Sequence, residues 1–214
     1  MTINNCACLI PYYRLDKVQI AIDSARSDGW HVETMQDKEF HGACKTREAL
    51  LNRTFIDKNI KFIRYLDDDD ILLPHKDKIL EVFNNNPKID IIYTNYIMKT
   101  PAGAQHHIKY SGDPIKDCFN IHPWSWIARI EALHRVKDVY GYLWNYEEPY
   151  LDGPYCWSSF LLLNLKIMHV STETCQYNKS FDPNCISQHP NFGNPSLKLK
   201  ALLCLISSQN VLNS

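Results

Sequence analysis

The chain has 214 residues, room for one domain of generous size or a domain with a small appendage. Its 45% hydrophobic and 22% charged residues exclude a disordered chain. Lys+Arg 23 against Asp+Glu 24 leave a net charge of −1, which argues against a general binder of nucleic acid or anionic membrane, since both call for a basic excess.

The eight cysteines, at positions 6, 8, 44, 118, 156, 175, 185 and 204, form no CxxC pair and no zinc-spaced cluster. They read as small buried hydrophobes in a reducing compartment. The start MTINNCACLIPYY lacks the basic end and long apolar core of a leader. The longest apolar stretch, 160–170, is broken by Asn164, Lys166 and His169 and is too short to span a bilayer. A cytoplasmic protein is expected.

In chain order, 6–10 is an apolar run that predicts a buried strand ending at Pro11. Val18, Ile22 and Ala25 predict a helix over 16–25, closed near Gly29. A strand over 30–35 and a helix over 46–55 follow. KFIRYL, 61–66, predicts a strand that runs straight into four aspartates. A helix over 74–84 and a strand over 89–97 complete a β-α-β-α-β-α-β order, the mark of an α/β domain with a mostly parallel sheet flanked by helices. The stretch 99–126, with Pro101, Gly103, Gly112, Pro114 and Pro123, reads as a long functional loop. Helices over 128–137 and 152–165 and a last strand over 166–170 are expected. One domain over 1–180 results, with an extension over 181–214 that carries an apolar helix near 197–206.

The informative segment is YLDDDDILLP, 65–74. Ligands of open α/β sheets bind outside the carboxyl ends of the strands, where these aspartates fall. Four adjacent carboxylates repel one another, and a cation relieves that repulsion. Oxygen donors favour Mg²⁺, Mn²⁺ or Ca²⁺ over zinc. Strand alternation would send Asp67 and Asp69 to one side and Asp68 and Asp70 to the other. The plain alternative is a solvated acidic loop in which Asp70 caps the next helix.

An apolar strand followed by D-x-D-D, three apolar residues and Pro resembles the metal-binding segment of GT-A glycosyltransferases, the family 2 group in particular. Asp67, Asp69, Asp70 and Pro74 match, and the likeness continues through PHKDKILEVFNNNPKIDIIYTNY to cover 61–96. CACLIPYYR resembles the opening strand and Pro-x-Tyr loop of that family, and HGACKTREALLN its Gly-x-x-x-Ala-Arg-Asn helix start, with Thr46 and Glu48 departing from the pattern. The resemblance extends over about 5–180. It implies a GT-A (Rossmann-like) fold and transfer of a sugar from a nucleotide-diphosphate donor, a UDP-sugar by preference, to a hydroxyl of a glycan or glycoprotein acceptor, with inversion favoured over retention. The chain also resembles the N-terminal module of large chlorovirus glycosyltransferases, which would place a viral protein in host cytoplasm.

Carried over by resemblance, Tyr13, with Tyr12 as backup, stacks on the base. Asp37, chosen over Glu33 and Gln36, takes the base N–H, and Arg47 contacts nucleotide or phosphate. Asp67 reaches ribose or metal, and Asp69 coordinates Mn²⁺ or Mg²⁺ on the diphosphate. The acceptor hydroxyl needs a carboxylate base, for which NYEEPYLDGPY offers Glu147, Glu148 and Asp152. Asp152 ranks first because the helix after it then has the right length, and Glu148 second. Trp124 and Trp126 of HPWSW fall at the acceptor wall, and His189 is a late metal or diphosphate contact. Two rivals stand. A sugar nucleotidyltransferase would need a glycine-rich loop after the first strand, which PYYR lacks, and a non-catalytic sugar-binding module would use the tryptophans and acidic cluster alone.

Overall fold

The structure, a computed structural model, describes residues 5–38, 42–118, 120–144 and 152–179. The first half follows the expected alternation. Strand β1 (Cys6–Tyr12), helix α1 (Val18–Ser27), strand β2 (His31–Gln36), helix α2 (Ala43–Thr54) and strand β3 (Phe62–Tyr65) set β1 between β2 and β3, all parallel. Right-handed crossovers to opposite neighbours put α1 and α2 on opposite faces of the sheet. β1 continues through Pro11 instead of stopping there. Its pairing to β3 has ended by Leu9, so the N–H that Pro11 lacks is not missed by a second neighbour.

The second half departs from expectation. A short strand β4 (Ile71–Leu72), helix α3 (Lys76–Asn85), strand β5 (Ile91–Lys99), strand β6 (Gln105–Ile108) and a single turn α4 (Pro114–Asp117) lead to strand β7 (Trp126–Arg129). Helices α5 (Ile130–Tyr140) and α6 (Asp152–Leu162) and strand β8 (Ile167–Asn178) follow. The eight strands form one sheet in the order β2-β1-β3-β7-β5-β8-β4, with β6 on β5. β7 is antiparallel to both β3 and β5, β6 is antiparallel to β5 and β4 to β8. The sheet is therefore mixed, which corrects the mostly parallel sheet expected. The three missed strands, β4, β6 and β7, are two to four residues long, too short to show a period, and β7 lies where the sequence reads as loop running into helix.

β8 is the other surprise, at 12 residues against the five expected. Polar residues fill its second half, so it shows no apolar run, yet that half pairs with β5 and β4 and carries the chain to the acidic turn. Leu72 N–H of β4 donates to Ser24 Oγ of α1 at 3.0 Å, closing the far edge of the sheet onto the first helix.

The two faces of β3 are built from different chemistry. Tyr65 packs edge-on against Trp126 and Trp144, with Phe160 against Trp126, giving an aromatic core of about 5–6 Å ring spacings. Arg64 points the other way and is fully buried. Its Nη1–H donates to His75 Nε2 and its Nη2–H to Trp124 O, both at 2.6 Å, and its guanidinium lies 5.6 Å from the Trp30 ring. Asp28 caps α3 from a distance, accepting from the N–H groups of His75 (3.0 Å) and Lys76 (3.1 Å). Asp70 is not the cap. The six described cysteines are buried thiols outside any disulfide, as the sequence suggests.

Candidate active site

The carboxyl ends of β1, β2 and β3 meet at one edge, and of the residues singled out from sequence Tyr12, Tyr13, Asp37, Arg47, Asp67 and Asp69 lie there. Asp37, just past β2, donates its N–H to Tyr12 O at 2.8 Å, and its Oδ2 accepts from Gly42 N at 2.8 Å. Gly42 holds φ at +88°, a region open to glycine, and so turns that N–H back toward Asp37 at the start of α2. Tyr13 follows β1 with 54% of its surface exposed, enough ring face for a flat partner to lie on.

Arg47 projects from α2 toward the end of β3. Its Nη2–H donates to Asp67 Oδ1 at 2.5 Å, and its guanidinium sits 5.1 Å from the Trp144 ring centre. It is buried, so it is no locally paired surface residue of the helix. The neighbouring Glu48, which departs from the family pattern, has its own task. Its Oε2 accepts from Leu143 N (3.0 Å) and Trp144 N (3.1 Å), while Oε1 pairs with Lys137. Glu48 thereby fixes the backbone that carries the Trp144 ring under Arg47.

The four aspartates form a turn, not a continued strand: Asp70 N–H donates to Asp67 O at 3.2 Å. Alternation therefore fails as a guide to where they point. Asp68 is buried and accepts at Oδ2 from the N–H groups of Tyr13 (3.0 Å) and Arg14 (3.1 Å), and Arg14 also pairs with its Oδ1. Asp69 Oδ2 lies 2.9 Å from Arg14 Nη2. Asp70 is fully buried; its Oδ1 accepts from Asn178 N at 2.9 Å, while Oδ2 is buried without a hydrogen-bond partner. Asn178 Nδ2 donates to Asp69 O as well, so the end of β8 clamps the turn.

Burial raises the Asp69 carboxyl above its ordinary range; Arg14 opposes this, and Asp67 and Asp68 add to it. Burial, then Asp67 and Asp69, push Asp70 up further. A divalent cation at this turn would reverse both effects. Among the described residues no three His, Cys, Asp or Glu side chains come together as a metal cage. That does not disqualify the turn, because Mg²⁺-type ions are commonly held by one or two carboxylates with substrate phosphates supplying the rest. Asp69 and Asp67, partly exposed oxygen donors on one turn, fit such a site.

On the acceptor side neither tryptophan offers an open face, Trp124 itself being only 6% exposed. Trp124 stands in a stack with His122 (4.5 Å, 3° between planes) and Tyr177 (4.9 Å, 16°), and Tyr177 precedes the Asn178 that clamps the acidic turn. Trp126, expected at the acceptor wall, is instead a core ring, 2% exposed against Tyr65, Trp144 and Phe160. Its strand lies between β3 and β5, so its ring has core on all sides. Asp152 begins α6, whose first turn is seated closely: a Cβ on Gly153 would lie 3.2 Å from Ile121 O. The Asp152 side chain, Glu147, Glu148, His189 and the extension over 181–214 lie outside the described residues.

Sequence reasoning missed Asp68 as the anchor of the Tyr13 loop, Arg14 as its partner, Glu48 as the anchor of Trp144 and Asn178 as the clamp of the turn. A four-aspartate run with a lone arginine two residues after Pro-Tyr was a usable signal for the first two. The others depend on contacts across 95 and 108 positions, which no local pattern reports.

No protein-family model and no curated protein matches the sequence. Solved structures do. The chain matches S. aureus TarS 1–349 in complex with UDP-GlcNAc at a TM-score of 0.69 and 13% identity, over 95% of this chain and 66% of that one. The match to TarS 1–349 itself has a TM-score of 0.61 at 15% identity, over 81% and 60% of the two chains, so this chain spans about 60% of that length. A197 from STIV matches with a TM-score of 0.54 at 12% identity, over 78% and 82%. The mixed sheet, its flanking helices and these likenesses define the fold: the chain has the GT-A fold.

Proposed function

We propose that this protein is a glycosyltransferase that moves a sugar from a nucleotide-diphosphate donor, a UDP-sugar, to a hydroxyl of a glycan acceptor. The observation that carries the reading is the convergence of Tyr13, Asp37, Arg47, Asp67 and Asp69 on one sheet edge of a GT-A fold. The complex of TarS with UDP-GlcNAc supports the choice of donor class.

In this reading Tyr13 stacks on the base, with Tyr12 behind it. Asp37 accepts from the base N–H, and Arg47 holds Asp67 at the ribose. Asp69 and Asp67 would hold Mn²⁺ or Mg²⁺, which when bound neutralises charge on the departing diphosphate. Asp152, or Glu148 in its place, takes the proton of the acceptor hydroxyl as its oxygen attacks the anomeric carbon and the bond to the diphosphate oxygen breaks. That displacement inverts the anomeric centre. The acceptor would meet the Trp124 stack through the less buried rings of His122 and Tyr177, since Trp124 itself is covered, and aromatic faces suit the apolar faces of sugar rings.

Calorimetric titration of UDP and dTDP, each with Mn²⁺ and with excess EDTA, tests the reading. Metal-dependent binding with preference for UDP is expected. Absence of binding under every condition would turn the acidic turn back into a structural loop and leave a sugar-binding module as the better account.

A further inference from the structure

The acidic turn already holds a cation of the chain's own. Arg14 leaves the β1 loop from a backbone pinned at two points, since the N–H groups of Tyr13 and Arg14 both donate to Asp68 Oδ2. Its guanidinium then bridges two neighbours, pairing with Asp68 Oδ1 and lying 2.9 Å from Asp69 Oδ2. The two contacts are unequal. Asp68 is buried and saturated by the loop it anchors, whereas Asp69 is more exposed and meets Arg14 at the open side of the turn. Burial alone would lower the guanidinium's proton affinity, but the hydrogen bond to Asp68 and the charges of Asp69 and Asp68 more than offset it, so the group stays cationic.

We infer, on the basis of the metal role proposed for Asp69, that Arg14 is the resident counter-cation of that carboxylate and that a divalent ion binds there only by displacing it. A guanidinium and a divalent ion repel each other across one carboxylate. Displacement need not release Arg14 from the site, because Asp68 still holds it by backbone and side chain. The displaced Nη2–H then points at the ground beside the metal, where a diphosphate accepts it, guanidinium and phosphate being matched in geometry and charge. The diphosphate thereby relieves the repulsion that metal alone would face. Metal and nucleotide are taken up together, each raising affinity for the other by the same factor.

A merely structural Arg14, acting through Asp68 to hold the Tyr13 loop, would leave metal affinity alone. The test is titration with Mn²⁺, read by the electron paramagnetic resonance of the free ion, on wild type, Arg14→Lys and Arg14→Gln, without nucleotide and with saturating UDP. Without nucleotide, Arg14→Gln is expected to bind Mn²⁺ about 10-fold more tightly than wild type, the scale of one charge-assisted hydrogen bond released, with Arg14→Lys between them. The gain in Mn²⁺ affinity that UDP gives wild type should shrink by about the same factor in Arg14→Gln. Should the glutamine variant fail to fold, tighter binding by the lysine variant supports the inference in its place. Equal Mn²⁺ affinity in all folded forms without nucleotide overturns the inference and leaves the metal site standing. No Mn²⁺ binding to any form, with or without UDP, removes the metal role of Asp69 and this inference with it.

Discussion

The two halves of the sheet solve different problems. In the half built from β1, β2 and β3, the strands run parallel, and their carboxyl ends deliver Tyr13, Asp37 and Asp67 to one edge by topology alone. In the half built from β7, β5, β8 and β4, direction is mixed, with β5 and β8 parallel and β7 and β4 reversed, and the edge is assembled by contacts over long stretches of chain, such as Asn178 on Asp69 and Asp70. The first arrangement makes a binding edge out of local sequence order. The second makes it out of packing, and so tolerates no local reading. If the parallel half binds the nucleotide and the mixed half serves the acceptor, lesions in each should separate binding from turnover.

The largest separation is expected at Asp152, at the start of α6. Asp152→Asn should lower kcat by about 10²–10⁴-fold, the usual contribution of a positioned base, while leaving UDP affinity unchanged. Loss of UDP binding in parallel with kcat would assign the residue to the other half. Next is Asp69→Ala, expected to weaken metal-dependent UDP binding by about 100-fold while UDP binding in EDTA stays as in wild type. An unchanged metal dependence in calorimetry would remove Asp69 from the site. Tyr13→Ala should cost about 1–3 kcal/mol of UDP affinity, the range for one base stacked on one ring. Equal losses for UDP and for inorganic diphosphate would show that the ring does not touch the base. A tryptophan test needs care, because Trp126→Ala removes a core ring at about 3–5 kcal/mol of stability, and lost activity there would report folding.

The same division explains how much was legible. The strands and helices of the first half stand within a few residues of their sequence periods, and the D-x-D-D run and Pro-Tyr loop mark the edge they build. Arg47 was legible as a site residue, but its burial against Trp144 was not, because that ring is placed by Glu48. β7 and β4 were invisible, since four residues and two residues carry no period, and the second half of β8 was hidden by polar side chains that face the turn and the edge. Parallel order follows from alternating elements. Antiparallel insertion follows from which partner fills the gap between β3 and β5, and sequence spacing does not encode that.

The smallest expected effect tests the seam between the halves. Arg64 of β3 reaches across to Trp124 O, and His75 holds its other arm, with His75 Nδ1–H donating to Leu73 O and Nε2 accepting from Arg64. Burial and the guanidinium lower the His75 pKa from 6.5 to about 3, because a second proton would set N–H against N–H in a closed space. The folded protein therefore stays unprotonated at His75 while the unfolded chain takes up a proton below pH 6.5. The stability tied to this group is present above that pH and is lost as the pH falls toward 3. Between pH 7.5 and 5.5 the loss amounts to about 1.4 kcal/mol. Other groups titrate over this range as well, so the comparison is with His75→Gln, which keeps a side-chain acceptor for Arg64 and removes the proton site. Urea unfolding of both proteins across that range should show wild type losing about 1.4 kcal/mol more than the variant. Parallel pH profiles would mean that His75 takes up its proton alike in the folded and unfolded chain, and that the seam does not depend on a neutral ring.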